Sequence, residues 1–174
     1  MQTQHKLSLR EITTNDPFRI CFVCLGNICR SPTGEGVFQH LVDREGFSAF
    51  FEIDSAGTGA YHVGEPANSK SRNIAEKHGI QLHSRARKFE YSDFAYFDLV
   101  LAMDQDNLND LKLLDRNQKY HDKLFLLRNF DPSPGDGEVP DPYYGGINGF
   151  ERVFDIVMRS SEELLEQIRP FIKS

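Results

Sequence analysis

Cys24-Leu25-Gly26-Asn27-Ile28-Cys29-Arg30-Ser31-Pro32 sets a thiol and a guanidinium at the two ends of a short loop that contains Gly and Asn. Five residues between Cys24 and Arg30 let the backbone curl until successive N–H groups converge on a tetrahedral oxyanion. Gly26 and Asn27 tolerate the unusual dihedrals this requires. Arg30 closes the ring with two parallel donors for phosphate, which a lysine point charge does not reproduce. The same positive surroundings favour the Cys24 thiolate, so the sulfur can act as nucleophile without a neighbouring base. Ser31 follows the arginine and is placed to donate its hydroxyl to that sulfur. Leu25, Gly26, Asn27, Ile28, Cys29 and Ser31 thus form a candidate phosphate-binding loop between Cys24 and the start of a helix.

The flanking elements must aim this loop. Phe18 to Cys24 is a short apolar run suited to a buried strand, and Ser31-Pro32 opens a helix on Val37, Phe38, Leu41 and Val42 that Gly46 closes. A loop at the carboxyl end of a parallel strand, before a helix N-terminus, is where an open α/β sheet binds anions. Further strand-like runs lie at 50–53, 98–103 and 124–127, and helical segments at 68–79 and 104–114, the first ending on Gly79. From Gly149 an amphipathic stripe through Phe150, Val153, Phe154, Val157, Leu164, Leu165 and Ile168 predicts a terminal helix packed on the sheet. The expectation is a single-domain, three-layer α/β fold with a four-stranded parallel sheet flanked by helices. Residues 131–149, rich in Pro, Gly and Asp, form the one long irregular stretch, a length that tends to be functional.

Composition narrows the function. The chain of 174 residues suits one domain, read as residues 18–174 after a polar N-terminal leader over 1–17 that is expected to be flexible. Its net charge of -6 opposes broad attraction to nucleic acid or anionic lipid, so an anionic substrate has to be captured locally. The three cysteines, Cys21, Cys24 and Cys29, crowd together and cannot brace distant parts, which fits a reducing, cytoplasmic compartment; no signal-like or membrane-spanning stretch stands at the front. Cys21 and Cys24 also spell Cys-x-x-Cys, but residues three apart on a strand face opposite sides, and a zinc site needs further ligands that six scattered histidines do not supply. Cys21 is assigned to the core, and neither metal nor cofactor is expected.

At this point the chain resembles the low-molecular-weight protein tyrosine phosphatases, whose signature is the Cys24–Pro32 loop. The likeness extends to Asp54-Ser55-Ala56-Gly57-Thr58, His83-Ser84-Arg85, Met103-Asp104 and Asp141-Pro142-Tyr143-Tyr144-Gly145, in the family's order. The resemblance implies that Asp141 protonates the leaving phenolate and then activates water, ahead of the nearby Asp131, Asp136 and Glu138. It implies a phosphocysteine on Cys24, with Arg30 and the loop amides holding the phosphoryl oxygens. By the same likeness Asn27, Ser31, Ser55 and His83 brace the loop, and Leu25, Tyr61, Tyr143 and Tyr144 wall a slot for the phenyl ring. Cys29 resembles the family's second cysteine, which can pair reversibly with the nucleophile, and alternatively only packs beneath the loop. Gly145-Gly146-Ile147 and Gly149-Phe150-Glu151 look like the bacterial branch, whose partners are often autophosphorylating tyrosine kinases. A monomer is expected. Two departures stand out: the leader is longer than usual, and Asn68-Ser69-Lys70 stands where many members have Asp-Pro-Arg, at a distance from the catalytic set.

Two rival readings share these residues. An arsenate reductase of the same fold also binds a tetrahedral oxyanion on a Cys-x5-Arg loop, but it relays electrons through downstream cysteines, and none follows Cys29 here. A silent phosphotyrosine-binding module would keep the pocket but would not need both Cys24 and Asp141.

Overall fold

The apolar stretch Phe18–Cys24 forms strand β1, and its alternation divides the core. Phe18, Ile20, Phe22 and Cys24 enter one hydrophobic cluster, whereas Cys21 and Val23 enter a second on the opposite face. A strand buried on both faces reads as a continuous apolar run because it sits centrally in a parallel sheet. The computed structural model describes residues 6–173, apart from the side chains of Tyr144 and Ile147. Four parallel strands occur in the order β2-β1-β3-β4, with β2 at Phe51–Gly57, β3 at Leu99–Ala102 and β4 at Leu124–Leu126.

Helices α1 (Arg30–Arg44), α2 (Ser69–Lys77) and α5 (Gly146–Ile168) supply the first cluster. The one-turn α3 (Asp93–Tyr96) and α4 (Gln105–Leu114) supply the second with Phe94, Leu108 and Leu111. This is the expected three-layer architecture. Helix α1 lies close to the sheet because Gly34 faces Phe22, where a Cβ would come within 2.6 Å of the ring.

The largest difference from the sequence reading lies in β2. The apolar run ends at Ile53, yet the strand continues to Gly57 because its backbone pairs with β1 in the register Cys21↔Asp54 through Cys24↔Gly57. Backbone pairing thus overrides side-chain polarity and delivers Ser55 to the level of the phosphate loop.

The leader departs as well. Leu7 and Ile12 are buried in the main cluster rather than standing apart from the domain. Ile12 exchanges backbone hydrogen bonds with the chain end, accepting from the Lys173 N–H and donating to the Phe171 carbonyl, each at 2.8 Å. Arg10 holds Asp98 with Nε and Nη2 at 3.2 and 3.0 Å and also reaches the Pro17 carbonyl. Polar composition hid this packing because two apolar side chains and one fork-shaped cation suffice to dock a short extended segment.

Ile12→Ala is expected to lower unfolding free energy by about 2–4 kcal/mol, as for a fully buried aliphatic residue. Urea denaturation checks it, and an unchanged midpoint would show that the leader contributes nothing to the fold.

Candidate active site

The loop after β1 is held by a chain of oriented hydrogen bonds. Asn27, buried and at φ 57, occupies the left-handed region that its short polar side chain tolerates. Its Oδ1 accepts from the Arg87 N–H at 3.0 Å, which fixes which end of the amide is which. Nδ2 then donates to the Ser31 hydroxyl at 2.8 Å and to the Ser55 hydroxyl at 3.0 Å. With its oxygen accepting from Asn27, the Ser31 hydroxyl has two acceptors in reach, the Cys24 sulfur at 3.0 Å and the Ala56 carbonyl at 3.4 Å, and the Asn27 N–H reaches the same sulfur at 3.3 Å. The loop backbone is also tied outward: Thr58 N–H donates to the Cys24 carbonyl, Gly59 N–H to Leu25 and Asn68 N–H to Ile28. Gly57 must be glycine here, because a Cβ would sit 2.7 Å from the Leu25 oxygen.

Arg30 is buried, and both of its hydrogen bonds use Nη1, which donates to Asp104 Oδ2 at 2.6 Å and to the Val139 carbonyl at 3.1 Å. Nε and Nη2 have no hydrogen-bond partner among the described residues, which leaves a bidentate edge for an anion. Burial opposes the guanidinium charge, and Cys24 and Asp104 outweigh it, so its pKa is raised. Asp104 itself is the N-cap of α4, its Oδ1 accepting from the Asn107 N–H at 2.8 Å. One carboxylate therefore sets both a helix start and the arginine.

Asp141 precedes the short turn Pro142–Tyr144 and caps it, Oδ1 accepting from the Tyr143 N–H at 3.0 Å. The loop that brings it here is pinned by Arg128. That buried side chain donates from Nε to Asp131, from Nη1 to the Glu138 carbonyl and from Nη2 to the Ser133 carbonyl. Arg159 grips the other side of Asp131 at 2.7 and 2.9 Å. Burial would raise the Asp131 carboxyl, but bonds from Arg159, Ser133 and Arg128 hold it below its ordinary value. Asp131 is thereby committed to the scaffold, and Asp136 and Glu138 accept backbone N–H bonds within the loop and from α4. Asp141 is the carboxylate that faces the cavity.

That cavity, ≈ 150 Å³, brings together Cys24, Arg30, Asp141, Leu25, Tyr61 and Tyr143. Gly26, Ile28 and Cys29 line it as well. The slot walls Leu25, Tyr61 and Tyr143 are exposed, and the Tyr144 side chain lies outside the described residues. Burial pushes the Cys29 thiol up to about 11, with Tyr143 and Ser71 pulling it the other way, and all three cysteines are free.

Four features were not read from the sequence. His62 lines the cavity, lies over Gly26 and bonds Glu65 at 2.8 Å. Asn68, one of the departures noted in sequence, caps α2 and donates to the Tyr143 hydroxyl at 3.3 Å, so it does reach the slot. Asp104 and Glu35 belong to the bracing network. The Ser55 hydroxyl donates to Glu35 Oε1 at 2.7 Å, and Glu35 and the exposed His83 both line a further cavity. Glu35 lies in the second turn of α1. Its only sequence signal was helical spacing from Ser31.

The fold and this cavity define an α/β protein with a cysteine-based oxyanion loop. The low molecular weight phosphotyrosine protein phosphatase family model matches residues 19–171. A low molecular weight protein-tyrosine-phosphatase of Streptomyces coelicolor is 44% identical over 87% of this chain and 94% of its own. A low molecular weight phosphotyrosine protein phosphatase of Rattus norvegicus is 42% identical over 85% and 94%. Among solved structures, a protein tyrosine phosphatase of Entamoeba histolytica superposes with TM-score 0.83 at 41% identity, covering 88% of this chain and 97% of that one. The chain belongs to the low-molecular-weight phosphotyrosine protein phosphatases, and it is a metal-independent protein-tyrosine phosphatase.

Burial pushes the Glu35 carboxyl up to about 7 from 4.5, the Ser55 bond opposing the shift. Between those values the folded chain keeps a proton that the unfolded chain has released. Glu35's contribution to stability is therefore complete below 4.5 and lost as pH rises through about 7. Wild type should lose stability relative to Glu35→Gln, which keeps an acceptor for Ser55, as pH rises across that window. Paired urea melts at the two ends test it, and parallel pH profiles would contradict the assignment.

Proposed function

We propose that Cys24 is the nucleophile, Asp141 the general acid and base, and Arg30 with the loop amides the oxyanion cradle. The Cys24 thiolate attacks phosphorus, forming the S–P bond as the P–O bond to the tyrosine oxygen breaks. Asp141 gives its proton to that oxygen. Water then attacks the phosphocysteine while Asp141 takes its proton, and the sulfur leaves as thiolate, stabilised by the Ser31 hydroxyl and the Asn27 N–H. Catalysis of this kind is mostly positioning and stabilisation of spreading negative charge.

The observation that carries the reading is that Cys24, Arg30 and Asp141 line one cavity, with the free edge of Arg30 available to an anion. Leu25, Tyr61 and Tyr143 flank the phenyl ring, and a slot of this kind selects phosphotyrosine over the shorter phosphoserine by reach. Asn27, Ser31, Ser55 and His83 are read as the loop's support, with Glu35 an additional partner of Ser55. No helix among the described residues is long and apolar enough to cross a membrane. The protein is read as a cytoplasmic monomer of bacterial type, acting on phosphotyrosine proteins such as an autophosphorylating tyrosine kinase.

Assay with an aryl phosphate in chelator tests the roles. Wild type should turn over, Cys24→Ser should be inactive, and Asp141→Ala should be slower by about 10²–10⁴-fold on a poor leaving group. Acid-quenched intact mass should show phosphate on wild type and none on Cys24→Ser. A phosphatase rate that survives Cys24→Ser would remove the phosphocysteine.

A further inference from the structure

A second cavity, ≈ 430 Å³, opens between the loop after β2 and helix α4, and Leu25 and Tyr61 form a wall shared with the catalytic cavity. Its lining includes Phe89 and Leu111, both buried, and Leu113 and Leu114 along α4. Leu113 is 76% exposed and Tyr61 75%, so the rim of the groove is apolar. Lys88 and Arg116 also line the groove, neither with an ion-pair partner among the described residues, against the single carboxylate of Asp110. They form a local excess of positive charge on a chain of net charge -6. Thr58 Oγ1, buried and without a hydrogen-bond partner among the described residues, belongs to another residue of the same lining.

We propose that this groove is a substrate subsite that takes a large apolar side chain, with an acidic residue beside it, from the peptide flanking the phosphotyrosine. The shared wall decides the occupant: a chain whose phosphotyrosine enters between Leu25 and Tyr61 has its flanking residues carried directly over the groove. The leucines bury the apolar side chain, and Lys88 and Arg116 meet the acidic one. The net negative charge of the enzyme would otherwise repel acidic peptides, so the local cations give discrimination among substrates that phosphate recognition alone lacks.

The proposal rests on the phosphatase reading of the Cys24 cavity, which turnover of free phosphotyrosine tests by itself. Phosphotyrosine peptides carrying Leu and Glu on the N-terminal or the C-terminal flank are compared with the same peptide flanked by Ala. One placement should raise kcat/KM by about tenfold, the worth of one well-buried aliphatic contact. Leu113→Asp and Arg116→Glu, both surface substitutions, should abolish that gain through KM and leave kcat/KM for free phosphotyrosine unchanged. The proposal is overturned if neither placement is preferred, if the preference survives both variants, or if the variants lose as much on free phosphotyrosine. A dimer in sedimentation that Leu113→Asp dissolves, with unchanged peptide kinetics, would give the groove to a second copy of this chain instead.

Discussion

The site depends on holding the Cys24–Arg30 backbone in a conformation that exposes its N–H groups inward, and the Asn27 amide is the group that holds it. Asn27 sits at positive φ and is buried, so both ends of its side chain need partners. Arg87 N–H on one end and two serine hydroxyls on the other satisfy it and set its direction. That direction propagates: Ser31 accepts from Asn27 and keeps its hydrogen for the sulfur or the Ala56 carbonyl, while Ser55 passes its own to Glu35. Reversing the amide would set two donors, the Asn27 NH2 and the Arg87 N–H, against each other and turn an acceptor toward the two serine hydroxyls.

Arg30 joins this loop to two other parts of the chain. Through Asp104 it is tied to the first turn of α4, and through the Val139 carbonyl to the segment that ends at Asp141. The Val139 N–H in turn donates to the Met103 carbonyl at 2.8 Å, at the end of β3. The anion cradle and the proton donor therefore share a single mechanical connection. Arg128 supports the same segment from beneath, contributing its donors to Asp131 and to two loop carbonyls, and a Cβ at Gly135, which sits at φ +54, would come within 3.3 Å of that guanidinium. A long Pro- and Gly-rich stretch is kept in one shape by an arginine far from the reacting atoms.

Much of this was legible beforehand where chemistry and position coincide along the chain. Cys24, Arg30 and Ser31 lie within eight residues, and the apolar run before them and the helix start after them locate the loop at the carboxyl end of a strand. Period-two burial in β1 likewise separates Cys21 from Cys24 without any coordinates. Residues whose roles depend on long-range partners left no comparable signal. Asp104 looks like an ordinary N-cap, Glu35 like a solvated helix position, and Arg128 like a surface cation. His83 was expected among the loop's supports by resemblance, whereas the bond from Ser55 to Glu35 has no counterpart in the sequence reading. The leader was judged by its polarity, which says nothing of the two buried side chains that attach it.

The sequence by itself determined the proposed nucleophile, its loop and the α/β architecture, because each follows from local spacing, strand period and helix starts. Tertiary structure decided which carboxylate is free to act and which are structural. Asp131, Asp136, Glu138 and Asp141 stand within eleven residues, yet only packing against Arg128, Arg159 and α4 commits the first three and leaves Asp141 facing the sulfur's cavity. It also decided that the wall of the catalytic cavity continues into a basic, apolar groove, since Leu25, Tyr61 and Leu113 are distant in sequence and meet only when β1, β2 and α4 are brought together. The physical reason is the same in both cases. Local periodicity encodes which face is buried, whereas the partner a polar group finds depends on residues tens of positions away.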